Sequence, residues 1–249
     1  MKTFKYGWKP DLPDIRDFKF CVKRRVTKLP TSVDLRPLMP DVYDQKSLGS
    51  CTANAIAAAS EFLWMKSKNV IVPSRLFIYY NERDMEGTVS QDSGAQIRDG
   101  IKSIAKYGEC YETVWPYDVS KFAVKPSKTC YNSALQHKAL AYSRVAGTEN
   151  DMKSALASGF PFVFGISVYD SFESDAVAKT GVVPMPKSTE RVLGGHAILA
   201  VGYTDAKKQF IVRNSWGPGW GDKGYCYIPY AYLANPNLAD DMWIVTSET

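Results

Sequence analysis

The first long hydrophobic pattern opens at Cys51. Ala55, Ile56, Ala59, Phe62 and Leu63 recur behind it at helical spacing, and the alanine-rich composition favours the same conformation. Two further stretches, SRLFIYYNERDME (74–86) and AQIRDGIKSIAKYG (95–108), are helix candidates, the second stopped by Gly108 as a C-cap. After about residue 140 the pattern changes. FPFVFGISVY (160–169), GHAILAVGYT (195–204), QFIVRNSW (209–216) and GYCYIPY (224–230) are short β-rich runs punctuated by Gly, Pro and Asp. One short helix, ENDMKSALAS (149–158), lies among them. A helical half followed by a strand-rich half predicts an α+β fold of two subdomains, residues 29–140 and 141–249, with a cleft between them. Residues 1–28 are mixed polar and charged, carry Pro10 and Pro13, and read as an extended N-terminal arm. LPTSVDLRPLMP then begins the compact body, its prolines fixing an extended entry.

Composition narrows the function classes. A chain of 249 residues with 45% hydrophobic and 23% charged residues can bury a sizeable core, as ordinary folded proteins do. The net charge of +5 is concentrated near the N-terminus, in KTFKYGWK and KFCVKRRVTK, which is too local for the basic stripe of a nucleic-acid binder. No run approaches the roughly 18 apolar residues of a membrane span. The lysine-containing start has no apolar h-region behind it, so a complete chain would begin in the cytosol or leave it by a non-classical route.

Candidate chemistry begins with the cysteines, Cys21, Cys51, Cys110, Cys130 and Cys226. Their odd number leaves at least one thiol free of intramolecular pairing, no CxxC suggests zinc, and Cys110 and Cys130 could pair. Taken alone, a cysteine at a helix start is more often a packing residue than a nucleophile. The chain has two histidines. His137, among polar residues near the subdomain junction, reads as a structural histidine. His196 opens an apolar strand behind Gly194 and Gly195, which leave space beside its ring. Asn214 ends another strand, where Trp216 could shield a hydrogen bond from water.

Together these segments resemble the papain-like cysteine peptidases. DQKSLGSC places Gln45 six residues before Cys51, GGHAILAVGY matches the family's histidine strand, and NSWGPGWGDKGY matches its asparagine segment. SGAQIRDGIKSIAKYGECYETVWPY and LPTSVDLRP are weaker matches, and the likeness runs in order over about residues 29–230. His196 lies 145 residues after Cys51 and Asn214 163 after it, close to the family's spacing of roughly 130–150. The resemblance implies a papain-like fold, with a helical left half, a β-barrel-like right half and an active-site cleft between. It implies a peptidase, with Cys51 as nucleophile, His196 as proton carrier, Asn214 orienting the imidazole, and Gln45 with the Cys51 N–H as oxyanion donors. The helix dipole and an imidazolium at His196 are expected to lower the thiol pKa. No metal and no cofactor are implied; the partners expected are polypeptide substrates and protein inhibitors, with the chain a monomer.

The departures are specific. Thr52 follows the cysteine where the family carries an aromatic residue, Leu48 replaces a disulfide cysteine, and Gly195 stands where papain has an aspartate. Gly94 matches the glycine whose backbone pairs with an extended substrate. Gly165, Gly194 and Gly195 fall near the wall of the main side-chain pocket, which suggests room for a bulky apolar or aromatic residue. Family members are commonly zymogens. Here the arm is far shorter than a usual propeptide; one expectation is that it packs on the body through Tyr6, Trp8 and Phe18 and partly blocks the cleft, the other that it is a structural extension. KRRVTK (23–28) is a candidate for processing. The main reading is an endopeptidase. An exopeptidase or thioester-transferring enzyme on the same scaffold, and a silent binding protein, are the competing readings.

Overall fold

The computed structural model describes residues 5–20, 28–67, 71–138 and 141–246. Cys21 and most of the KRRVTK segment lie outside the described residues. In chain order the elements are β1 (Ser32–Asp34), α1 (Cys51–Lys66), α2 (Arg75–Met85), α3 (Ile97–Tyr107), α4 (Lys128–Ala134), β2 (Ala141–Arg144) and α5 (Glu149–Ala157). They continue with β3 (Phe162–Tyr169), α6 (Asp175–Thr180), β4 (Val192–Thr204), β5 (Gln209–Arg213), β6 (Tyr225–Pro229), α7 (Tyr230–Leu233) and β7 (Ala239–Thr246).

The three helices expected from periodicity form within a residue or two of the expected bounds. Gly108, at φ 82°, closes α3 with its N–H on the Ile104 carbonyl, a conformation that a Cβ would oppose. Helix α1 differs from a surface helix because it is buried over almost its whole length, from Cys51 to Phe62. Its alanines let it lie close against the sheet without the bulk of larger side chains.

The strands form an antiparallel sheet in the order β2-β7-β3-β4-β5-β6, with β1 paired to β4 beyond the end of β3. The α+β class and the papain-like architecture stand, but the sheet is open and not closed into a barrel. Strand β4 explains why. It pairs with β3 along Val192–Ala200 and with β5 along Leu199–Thr204, so it is the spine of a sheet whose ends are β2 and β6. Alternation along β4 divides two cores. Ala197, Leu199 and Val201 face α1, whereas Ile198 and Ala200 belong to the core on the other side, with Phe164 and Trp216. The β7 strand was not legible in the periodicity; its start, Ala239-Asp240-Asp241, reads as a loop.

Leu199 is wholly buried between α1 and the sheet. Leu199→Ala should lower unfolding free energy by about 2–5 kcal/mol, read as an earlier denaturation midpoint with an unchanged slope.

Candidate active site

The loop before α1 ends in Gly49 and Ser50, and Cys51 is the first helical residue. Gly49 N–H is held by Asp92 Oδ1 at 2.9 Å, and the Asn54 side chain turns back to the Ser50 carbonyl at 2.8 Å. No side chain caps the helix, so its first-turn N–H groups are not taken up by a capping residue. The Cys51 sulfur lies beside the start of β4 and accepts the Ala197 N–H at 3.3 Å.

That contact places His196, the neighbour of Ala197, at the same corner. His196 Nε2 is 2.8 Å from Asn214 Oδ1, which also accepts the Ser215 N–H at 2.8 Å. An oxygen accepting both bonds assigns the Nε2 proton to the imidazole and leaves the lone pair on Nδ1. Nδ1 is buried without a hydrogen-bond partner among the described residues. Trp216 stacks on the ring at 4.9 Å between centroids, closing it from water. Gln45 joins from the other side: its Oε1 accepts the Ser215 hydroxyl at 2.6 Å, and its Nε2 donates to the Leu48 carbonyl at 2.9 Å. Tyr117 holds this corner by donating to the Gln45 carbonyl at 2.9 Å. The structure therefore brings Cys51, His196, Asn214 and Gln45 together from α1, β4, the end of β5 and a loop. His137 lies elsewhere, edge-on to Tyr111 and Trp64. Cys110 and Cys130 are free thiols in contact; burial and then Cys130 push the Cys110 thiol up to about 12.

The sequence profile of the papain family cysteine proteases matches residues 29–244. The chain belongs to that family. An uncharacterized peptidase C1-like protein of Acanthamoeba polyphaga mimivirus is 47% identical, over 96% of this chain and 82% of its own length. Xylellain, a cysteine protease from Xylella fastidiosa, superposes with a TM-score of 0.92 at 44% identity, covering 100% of this chain and 99% of its own. The bromelain protease from Ananas comosus, in complex with the E64 inhibitor, shares the fold with a TM-score of 0.70 at 24% identity, over 88% of this chain and 100% of its own. The protein is a papain-family cysteine protease, a peptide hydrolase.

In this protease the cleft is filled by the chain's own arm. Lys5 offers its carbonyl to Gln45 Nε2 at 3.0 Å, and the backbone N–H of Gly7 faces the Cys51 sulfur. Trp8 N–H bonds the Gly195 carbonyl at 2.9 Å, while Ala95 receives the Lys9 N–H at 3.1 Å and gives its own N–H to Gly7 at 2.7 Å. The backbone pairing thus falls on Ala95, one residue beyond the expected Gly94. Gly94 contributes clearance: a Cβ there would lie 2.0 Å from the Gly7 oxygen. Gly165, Gly194 and Gly195 lie against Tyr6 and Trp8 of the arm. A Cβ on Gly165 would lie 1.9 Å from the Trp8 indole, and one on Gly194 2.9 Å from Tyr6. Asp241 floors the pocket, accepting Trp8 Nε1–H at 3.1 Å and the Asp11 N–H at 2.7 Å.

Of the three expected anchors, Trp8 is buried, Tyr6 packs edge-on to His196 at 6.0 Å and bonds Glu173, and Phe18 is exposed. In this state burial works against the expected thiolate–imidazolium pair. Burial pushes the Cys51 thiol up to about 11, against the opposing N–H groups of Ala197 and Gly7. Burial also drops the His196 imidazole to about 4. Burial thus favours the neutral form of both groups, and no hydrogen bond joins them among the described residues.

Periodicity did not single out Ala95, Tyr117 or Asp241. The one signal for Asp241 is an acidic pair immediately before the apolar MWIVT run.

Gly7 has no room for a side chain, since a Cβ would lie 1.7 Å from the Gly49 oxygen. Gly7→Ala should unseat the arm and raise the rate of Cys51 alkylation by iodoacetamide at least tenfold over the unsubstituted chain. Equal rates would show that the arm does not guard the thiol.

Proposed function

We propose that this protease is an endopeptidase made in a self-blocked form, with Cys51 as nucleophile and residues 5–11 as the block. One observation carries the reading: a peptide segment of the chain lies across Cys51, its Lys5 carbonyl on Gln45, its Gly7 carbonyl on Ala95 and its Trp8 N–H on Gly195. The segment continues past the thiol to Asp11. A cleft that holds chain on both sides of the nucleophile suits cleavage within a polypeptide.

Once the arm leaves, water reaches the corner and the desolvation that keeps both groups neutral is relieved. The proton moves from Cys51 to His196 Nδ1, giving thiolate and imidazolium, with the α1 dipole favouring the anion. The thiolate attacks a peptide carbonyl, whose developing oxyanion takes the donor that Lys5 now occupies, Gln45 Nε2, together with the Cys51 N–H. His196 protonates the leaving amine, then draws a proton from the water that hydrolyses the thioester. Asn214 keeps the ring oriented through Nε2. Gly165, Gly194 and Gly195 leave the pocket wide enough for a large substrate side chain. The docked arm is a cover and not a substrate, because it turns the Gly7 N–H toward the sulfur.

The arm is also pH-sensitive. Burial and then the Asp241 carboxylate push Asp11 up to about 7, opposed by the Trp243 N–H and Arg98. Arg144, Asp17 and Asp240 complete the charges at this junction. Asp241 is itself raised, chiefly by burial. A released Asp11 returns to about 4, so the docked state binds more protons between about pH 4 and 7. Docking therefore weakens as pH rises through that window and levels off above it. Cys51 and His196 hold one proton in total whether neutral or ion-paired, so they do not reverse this trend.

Labelling by E64, followed by mass spectrometry, tests the nucleophile in the full chain and in a chain beginning at Leu29. The shorter chain should take the label at Cys51 and cut peptides with a large aromatic side chain faster than their alanine counterparts, while the full chain labels slowly. Cys51→Ala should abolish both activities and Cys130→Ala neither; cleavage surviving in Cys51→Ala would remove Cys51 from the reaction. For the pH device, the docked Trp8 amide signal in NMR should weaken from pH 4 to 7 in the full chain, and Asp11→Asn should flatten that dependence. A docked fraction that rises with pH would contradict the sign.

A further inference from the structure

One residue past Cys51, two departures from ordinary helix rules meet. Thr52 donates its hydroxyl to Glu82 Oε1 at 2.7 Å, and Glu82 is a wholly buried acid in α2 whose Oε2 has no partner among the described residues. Opposite it, within α3, stands Gly100, a residue that weakens a helix interior relative to alanine. The reason for the glycine is geometric. A Cβ at position 100 would lie 2.6 Å from Glu82 Oε2 and 2.4 Å from Ile56 Cδ1. The α1–α2–α3 crossing thus keeps a space for one carboxyl group directly beneath the first turn of the helix that carries Cys51.

No cation pairs with that carboxyl among the described residues. The charged groups facing it are Arg83 and Glu86 on its own helix and Asp99 on α3, with the Cys51 thiol on α1. Arg83 is committed to the carbonyls of Tyr79, Val89 and Gln91 at 2.9 Å each, and Glu86 is paired with Lys9. A buried carboxylate with one hydrogen bond and two acidic neighbours is costly, whereas a carboxylic acid is tolerated.

We propose that Glu82 is a positioning residue for the nucleophile, held as the uncharged acid, that fixes the first turn of α1 through Thr52 without opposing the thiolate. Burial, before any other cause, pushes Glu82 up to about 8, which agrees with the geometry, and a charge there would raise the Cys51 thiol. The Thr52 hydroxyl provides an anchor that the aromatic residue usual in the family lacks. The inference rests on Cys51 being the nucleophile.

Two measurements test it. In the full chain with carboxyl-labelled glutamate, the carbon-13 signal removed by Glu82→Gln should stay at the protonated position through pH 7. Ionisation of that signal below pH 6 would overturn the proposal. In the full chain carrying Gly7→Ala, Thr52→Val and Glu82→Ala should lower kcat for peptide hydrolysis on the order of 10–100-fold with KM little changed. Glu82→Gln, neutral and able to accept the Thr52 hydrogen bond, should restore kcat and leave the acid limb of the pH profile in place. Failure of glutamine to rescue, or an acid limb that moves down with it, would mean that the charge and not the position matters. Absence of hydrolysis in the Gly7→Ala chain itself would count against the arm reading, while the carboxyl titration still judges Glu82.

Discussion

The close contact between α1 and β4 is the constraint on which the rest depends. An alanine-rich helix lies against the Ala197, Leu199 and Val201 face of the longest strand, and its first residue meets the strand at its polar end. Small side chains on both surfaces make the approach possible. From that contact follow the proximity of the thiol to His196, the reach of Asn214 from β5, and the placement of Gln45 through Ser215. A bulkier residue at Ala197 or in the first turn of α1 would move the sulfur away from the imidazole before it destabilised the sheet.

Burial acts on this site in two opposed ways. Trp216 excludes water from the His196–Asn214 bond, which strengthens the bond and steadies the ring. The arm excludes water from the thiol and imidazole themselves, and there burial favours the neutral forms. The same physical term therefore steadies the ring from behind and favours the neutral pair in front. In the proposed self-blocked form a short arm needs only to dry the pair, not to distort it.

Among the described residues several buried polar atoms stand without partners, and three of them are His196 Nδ1, Asn214 Nδ2 and Glu82 Oε2. Each carries a desolvation cost that a purely structural core would avoid, and all three belong to or adjoin the site. The arm contributes its own concentration of charge, where Asp11 and Asp17 meet Arg98, Arg144 and Asp241.

Much of this was legible along the chain. Helical spacing located α1, α2 and α3, strand composition located β3 to β6, and the order of DQKSLGSC, GGHAILAVGY and NSWGPGWGDKGY pointed to one corner, because those signals are local and repeat at short period. The barrel-like closure expected of the right half was not realised, since β1, β3 and β5 all pair with β4 and leave β2 and β6 as ends. Strand β7 escaped notice because it begins with two acids, one of which, Asp241, is buried through partners drawn from the arm and β2. The charge state of Cys51 and His196 was also beyond the sequence. Motifs identify which groups can exchange a proton, but their pKa values depend on water access, and that was decided by where the tertiary fold laid residues 5–11.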